Sequence, residues 1–274
     1  MTEAPALTTR ASGSWEANAD FWIEIIRQRR DRYRTELTDA AVLAAIGDCT
    51  GLDVLDVGCG EGYLTRELAR RGAQHVHGID KSAALIKAAQ DTATPGTAFD
   101  EGDVTELSSG DESRDLIVAN HLLNDLPDIT SPILEFARVL RPGGRLVALM
   151  LHPCFYGDRA ETTPLQDLPA VESYFRQRAV TQTFEVDGLT SPLPSTSWVR
   201  PLEAYTGALV GAGLYIASLS EPHPSPEQVA SSQWWRDNYP RPLFMLLTAV
   251  KPHALAQAAM DVRRRADRAG GEPR

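Results

Sequence analysis

The sequence predicts an α/β protein in which helices cover both faces of a mostly parallel sheet. Two observations lead there. Between residues 52 and 151, apolar runs of strand length alternate with helical segments, the order that parallel strand–helix–strand units require. The first run, LDVLDVG, leads straight into glycines at 58, 60 and 62 and then a helix. In open parallel sheets, ligands sit at such carboxyl ends of strands.

The elements follow in chain order. Residues 1–14 read as a disordered arm. From Trp15 to Leu37 the pattern is helical, with Trp15, Ala19, Trp22 and Ile26 on one face. Thr38 is placed to cap a short helix over 39–47. LDVLDVG is the first strand, GYLTRELARRG a helix stopped by Gly72, and HVHGID the second strand. A helix that Ser82 can cap (AALIKAAQDTA) precedes a short third strand in GTAFDEGDV. RDLIVAN, SPILEFARVL and GRLVALML read as strand, helix and strand. Residues 153–198 carry no clean period. A helix near 201–211 and the strand LYIASLSE then resume the rhythm, followed by an irregular stretch over 222–242 and the last strand, LFMLLTAV. A C-terminal helix is expected from about His253.

Composition narrows the function classes. The net charge of −10 opposes general attraction to nucleic-acid phosphate, and the basic runs RQRRDRYR and RRR lie in helical patterns that suit a solvated face. No apolar run is long enough to span a bilayer, and no secretory signal is visible. The 3 cysteines, at 49, 59 and 154, have no metal-type or disulfide-framework spacing, so a reducing cytoplasm is expected.

The glycine loop admits several readings. A tight strand–helix turn without a ligand needs the same residues. A dinucleotide loop would read GxGxxG rather than the GxGxG found here, and an acid after the second strand, Asp80, serves ribose in either case.

Five segments taken together narrow this choice. VLDVGCGEG, GIDKS, EGDV, DLIVANHLLNDLPD and RVLRPGGRLV occur in an order and spacing that resemble the class I S-adenosylmethionine-dependent methyltransferases, over about residues 52–151. The resemblance implies a Rossmann-like seven-stranded sheet with the last strand antiparallel, inserted between strands five and six, and S-adenosylmethionine as cofactor. By position it implies that Asp56, Gly58, Cys59 and Gly60 line the methionine end, with Asp56 near the ammonium. Asp80 would accept from the ribose hydroxyls and Lys81 would flank the adenosine. Asp103 and the Val104 N–H would meet the adenine, and Asn120 and His121 would lie beside the methionine moiety.

The acceptor is a separate question. The fourth strand ends in NHLL rather than the [ND]PPY that family members use for nucleobase amines, and no acidic cluster suggests a magnesium site. A small molecule is therefore expected, with no metal. All 5 tryptophans lie outside the cofactor core. In the implied topology both long insertions open over the cofactor, so Trp15, Trp22, Phe155, Trp198, Trp234 and Trp235 are expected to line a pocket for a bulky apolar or aromatic substrate. Burial of the insertions on themselves would use the same residues. A hydroxyl acceptor needs a base. His152, at the end of strand five, is the first candidate and His121 the second, although His152 also suits a structural bond beside Pro153. Asp125 is left open between orienting a histidine and facing water.

The expectation is a methyltransferase acting on a bulky, apolar or aromatic small molecule, plausibly in specialised biosynthesis. O-, N- or C-methylation remains open, including C-methylation of an alkene. A nicotinamide-dependent oxidoreductase and a non-methylating enzyme of the same fold, such as a cyclase, are the alternatives. One catalytic domain is expected over 15–252, with a core of 38–152 and 200–252 and a cap of 15–37, 153–199 and 221–242. The tail, 253–274, could pack on its own domain or support a homo-oligomer.

Overall fold

The computed structural model describes residues 13–156 and 174–253. The arm expected over 1–14 falls almost wholly outside them. So do the tail helix beyond His253 and the middle of the first insertion.

The N-terminal segment holds helix α1 (Ala19–Arg27), then a π-helical turn (Arg34–Thr38) that runs directly into α2 (Asp39–Ile46). The core continues with β1 (Asp53–Val57), α3 (Tyr63–Arg70), β2 (His75–Asp80), α4 (Ala83–Gln90) and β3 (Thr97–Glu101). Strand β4 (Arg114–Asn120), α5 (Thr130–Val139) and the long β5 (Leu140–Leu151) follow. The first insertion supplies two small ribbons, β6 (Arg178–Gln182) with β9 (Ser195–Val199), and β7 (Glu185–Val186) with β8 (Leu189–Thr190). The chain then forms α6 (Leu202–Gly211), β10 (Tyr215–Ser220), α7 (Pro226–Ser231), α8 (Gln233–Asn238) and β11 (Phe244–Val250).

Seven strands pair in the order β10-β11-β5-β4-β1-β2-β3. Strand β11 runs antiparallel to both its neighbours, β5 and β10, and the remaining pairings are parallel. This is the sheet implied above, with the last strand inserted between the fifth and sixth.

Side-chain alternation explains why the strands read as continuous apolar runs. Ile117, Ala119, Ala148 and Met150 pack with Phe136 and Tyr205 on one face; Leu116, Val118, Val147 and Leu149 pack with Leu64, Leu68 and Ile46 on the other. Both faces are buried, as a sheet carrying helices on each side requires.

Four local expectations change. The helix predicted over 15–37 breaks after Arg27: Arg29 sits at φ 54°, and the Asp31 carboxylate accepts the Arg34 N–H to start a new segment. Thr38 has helical backbone and makes no side-chain cap, because the π-helical turn enters α2 without interruption. The stripe Trp15, Ala19, Trp22, Ile26 is not the fully buried face; Ser14, Asn18, Phe21 and Ile25 are buried, one residue earlier in register. The stretches read as irregular contain the ribbons β6–β9 and the short helices α7 and α8.

The N-terminal segment and the ribbons meet through one side chain. Asn18 is fully buried; its Nδ2 donates to the Leu193 carbonyl and to Ser195 Oγ, and its Oδ1 accepts the Leu193 N–H.

Candidate active site

In this order β1 and β4 are neighbours, and successive strands are laid down in opposite directions from that point. The crevice at their carboxyl ends is the expected ligand position. The structure has a cavity of about 570 Å³ there.

The glycine loop forms its floor. Gly58, Gly60 and Gly62 have φ of 69°, 58° and 82°. Gly62 is the tightest: a Cβ there would lie 2.5 Å from Phe99 Cε1. The loop amides point back to β2 rather than outward. Gly58 and Cys59 N–H donate to the Ile79 carbonyl, and Gly60 N–H donates to Asp80 Oδ2 at 2.9 Å.

Each cofactor residue expected from the sequence lines this cavity: Asp56, Gly58, Cys59, Gly60, Asp80, Lys81, Asp103, Val104, Asn120 and His121. Asp56 is buried and accepts from Thr65 Oγ1 at 2.6 Å; burial, opposed by that bond, pushes its pKa up to about 6. Asp80 accepts the Gly60 N–H on one oxygen and the Ser82 N–H on the other, and each oxygen keeps acceptor capacity. Burial raises its pKa, and the two amides pull it down. Lys81 Nζ donates to Asp103 Oδ2 at 2.9 Å, and the other Asp103 oxygen accepts from Thr105.

Asn120 ends β4. Its Nδ2 donates to the Tyr63 hydroxyl, which donates on to Asp39, whereas its buried Oδ1 has no partner among the described residues. His121 follows at φ 63°, a left-handed conformation uncommon for a residue with a side chain. Its ring meets Phe244 edge-on, and burial followed by the nearby Arg34 charge lowers its pKa to about 3.

Arg34 and Tyr63 are among the lining residues that the sequence-based set lacks. By sequence Arg34 falls in a basic run that suits a solvated face. The break at Asp31 and the π-helical turn bring it to the cavity, with its guanidinium 5.0 Å from the Tyr63 ring centroid and its Nε without a hydrogen-bond partner among the described residues. Asp31, a helix-capping residue type within the run, was the signal available. Tyr63, the first residue of α3, was missed for want of any local signal.

The expected substrate residues divide. Trp15 and Trp22 line the cavity with ring centroids 5.7 Å apart, and Phe184 meets Trp22 edge-on at 5.1 Å. The rest do not line it. Trp235 is buried against Tyr33 and Tyr239 and donates to Glu36. Trp234 stacks under the Arg32 guanidinium. Trp198 is buried on β9, and Phe155 packs on the His152 ring while its neighbour Tyr156 lines the cavity.

His152 also lies outside the lining. Its Nδ1 accepts the Cys154 N–H at 3.1 Å, which leaves Nε2 to meet Glu221 at 2.7 Å. Both ring nitrogens are engaged, so the structural alternative describes its geometry and the general-base expectation does not.

Known proteins agree with this geometry. Residues 55–148 match a family model described as a methyltransferase domain. The ubiquinone biosynthesis O-methyltransferase of Alkalilimnicola ehrlichii is 37% identical over 110 residues, 39% of this chain and 44% of that protein. The trans-aconitate 2-methyltransferase of Deinococcus radiodurans is 42% identical over 94 residues, 34% of this chain and 35% of that protein. The matched region thus spans less than half the length of these curated relatives. An S-adenosylmethionine dependent methyltransferase of solved structure from Mesorhizobium loti is similar in fold, with a TM-score of 0.61 at 21% identity over 77% of this chain and 96% of that one. Residues 55–148 thus carry a methyltransferase domain, and the chain has the fold of a solved S-adenosylmethionine dependent methyltransferase.

The residues present fit S-adenosylmethionine as a cofactor. The unpartnered Asn120 Oδ1 suits an ammonium donor, and a Cβ on Gly60 would meet open space. Asp80 retains acceptor sites for hydroxyls. Carboxylates outnumber cations in the lining, which favours a ligand carrying positive charge, and Arg34 offers a partner for the cofactor's own carboxylate. Among the described residues no three His, Cys, Asp or Glu side chains gather as a metal-binding group, and no helix is long and apolar enough to cross a membrane.

Proposed function

We propose that the chain transfers a methyl group from S-adenosylmethionine to a bulky, apolar or aromatic small molecule. One observation carries the reading: the cofactor residues and the Trp15, Trp22 and Phe184 rings line the same cavity. Bound S-adenosylmethionine supplies an electrophilic methyl group on a sulfonium. The chain's own residues then have two tasks, to hold donor and acceptor in line and to keep water out.

Asp80 would fix the ribose, Asp103 and Val104 the adenine, and Asp56, Asn120 and Arg34 the zwitterionic end. Trp15, Trp22, Leu122, Phe184 and Leu243 give the remaining space an apolar wall, suited to a flat acceptor. The excess of lining carboxylates disfavours an acidic acceptor or a nucleic acid. Residues 15–37 and 153–199 would serve as the cap. The same reading takes the protein as a cytoplasmic enzyme, with a homo-oligomer formed through the C-terminal segment.

Calorimetry against S-adenosylhomocysteine and NAD tests the donor, with binding of the first alone expected. Incubation with labelled methyl donor and a panel of hydroxylated and alkenyl aromatics tests transfer. Donor binding with no label transferred to any acceptor would sink the transferase reading and favour a non-methylating reaction such as cyclisation. Light scattering that returned a monomer would remove the oligomer from the reading.

A further inference from the structure

The loop after β4 presents a carboxylate that the cofactor assignment does not use. Asp125 lines the cavity beside the cap. Asn124 Nδ2 donates to its Oδ1 at 2.7 Å, and Ser197 Oγ, from β9, donates to the same oxygen at 3.1 Å. Oδ2 takes no hydrogen bond from any described residue and is not sealed from the cavity.

The carboxylate is held rigidly. Asn124 Oδ1 accepts the Leu151 N–H from the end of β5, and the Asn124 carbonyl accepts the Trp198 N–H from β9. Buried Arg200 donates to the Leu123 and Leu126 carbonyls on either side. A group fixed on one oxygen and open on the other is built to meet a donor in the cavity.

Other lining groups are already committed. Asp31 and Glu61 are paired with arginines, Asp103 with Lys81, and Asp80 with two amides. Glu185 lies exposed to solvent. His121 resists protonation beside Arg34, and His152 lies outside the cavity.

We propose that Asp125 is the catalytic base and that the acceptor is a hydroxyl on a planar, apolar ring. This rests on the methyl-transfer reading above. The hydroxyl oxygen forms the new C–O bond as the C–S bond of the donor breaks, and sulfur keeps that electron pair and becomes a neutral thioether. The hydroxyl proton passes to Asp125 Oδ2. The Trp15–Trp22–Phe184 wall suits the ring, and the carboxylate excess in the lining disfavours an acceptor that is itself acidic.

The electrostatics are consistent with this role. Burial pushes the Asp125 carboxyl up to about 8, against lowering by the Ser197 and Asn124 bonds. Asp80, from the end of β2, pushes the same way, whereas Arg200, next to α6, pulls it down; Tyr205 on α6 also faces the group. A base whose pKa lies near working pH combines availability with driving force.

The test uses 2-naphthol as the acceptor probe, 2-methoxynaphthalene as its control, and Asp125→Asn, which preserves shape and can still accept from Asn124 and Ser197. With S-adenosylhomocysteine bound, the wild type is expected to prefer 2-naphthol over the ether by at least 10-fold, and the variant to lose most of that preference. With labelled donor, kcat for 2-naphthol should fall by about 10²–10⁴-fold in the variant, the range general-base removal produces. The rise of rate with pH should vanish with it, while affinity for S-adenosylhomocysteine stays within about threefold.

An Asp125→Asn variant that methylates within threefold of wild type overturns the proposal. So does one that loses donor affinity in parallel with rate, which would make Asp125 part of the cofactor site. A wild type that binds donor but neither prefers nor methylates 2-naphthol removes the hydroxyl acceptor and leaves the donor assignment standing. Absence of donor binding altogether would defeat the broader reading instead.

Discussion

The Gly60 N–H donates to Asp80 Oδ2 at 2.9 Å, so the glycine loop is tied to the second strand before a ligand arrives. The loop is therefore preorganised, with the positions proposed for the ribose and for the methionine end held as one unit. Asp80→Ala is expected to remove both that tether and the acceptor for ribose. Affinity for S-adenosylhomocysteine should fall by about 2–3 kcal/mol, typical of a lost hydrogen-bonded charge, and calorimetry would read it directly.

Gly62 lets Phe99 lie against the start of α3. At φ 82°, with a Cβ only 2.5 Å from the ring, Gly62→Ala meets both backbone strain and a clash. Chemical denaturation should show a loss of about 2–4 kcal/mol. A loss below 0.5 kcal/mol would mean that the loop is more adaptable than the geometry states.

Arg34 makes a ligand-specific prediction. If it meets the carboxylate of the cofactor, Arg34→Ala should weaken S-adenosylhomocysteine by about 10–100-fold. The same variant should bind 5′-methylthioadenosine, which lacks that carboxylate, as the wild type does. Equal weakening of both ligands would assign Arg34 to holding Tyr63 instead.

Asp125 sets a pH dependence of stability in the ligand-free protein. Its folded pKa, about 8, lies above the ordinary carboxylate value, so the folded state holds this proton more tightly. Its ionisation therefore penalises folding increasingly as pH rises from about 4 to 8, and no further above that. Asp125→Asn lacks the penalty. Carrying the group from its ordinary range up to about 8 corresponds to a ceiling of about 5 kcal/mol, and cavity water reduces the expected gain to about 2 kcal/mol. Denaturation at pH 4 and pH 8 should show the variant's advantage growing between them; a constant difference would contradict the sign.

His152→Ala should lose stability without losing the site. It removes the acceptor for Cys154 N–H and the partner of Glu221, together about 1–2 kcal/mol. Donor affinity should be unchanged, because the ring is no part of the cavity wall.

The sheet and the placement of the proposed cofactor residues around one cavity were legible because each has a local signature. Strands buried on both faces give unbroken apolar runs, as in RDLIVAN, and the carboxylates at 56, 80 and 103 follow strands at fixed positions in short motifs. The proposed substrate side was less legible because its residues are assembled by tertiary packing. Trp22 and Trp235 carry the same composition signal, yet one faces the cavity and the other fills the core behind Tyr33. Arg34 depends on the helix break before Asp31 and the π-helical turn that follows, and no composition reading of RQRRDRYR could supply it. His152 ends β5, but strand-end position does not set orientation: Glu221 and the Cys154 amide hold its ring outside the cavity lining.

The Asn18 amide has consequences for traffic. It joins stretches of chain 175 residues apart, and it uses its oxygen and nitrogen as a peptide group would in a ladder. The helix that carries Trp22 and the ribbon that carries Ser197 are thereby stitched together. Any motion of one wall must carry the other with it or break that stitch, so the two behave as a single flap joined at one side chain.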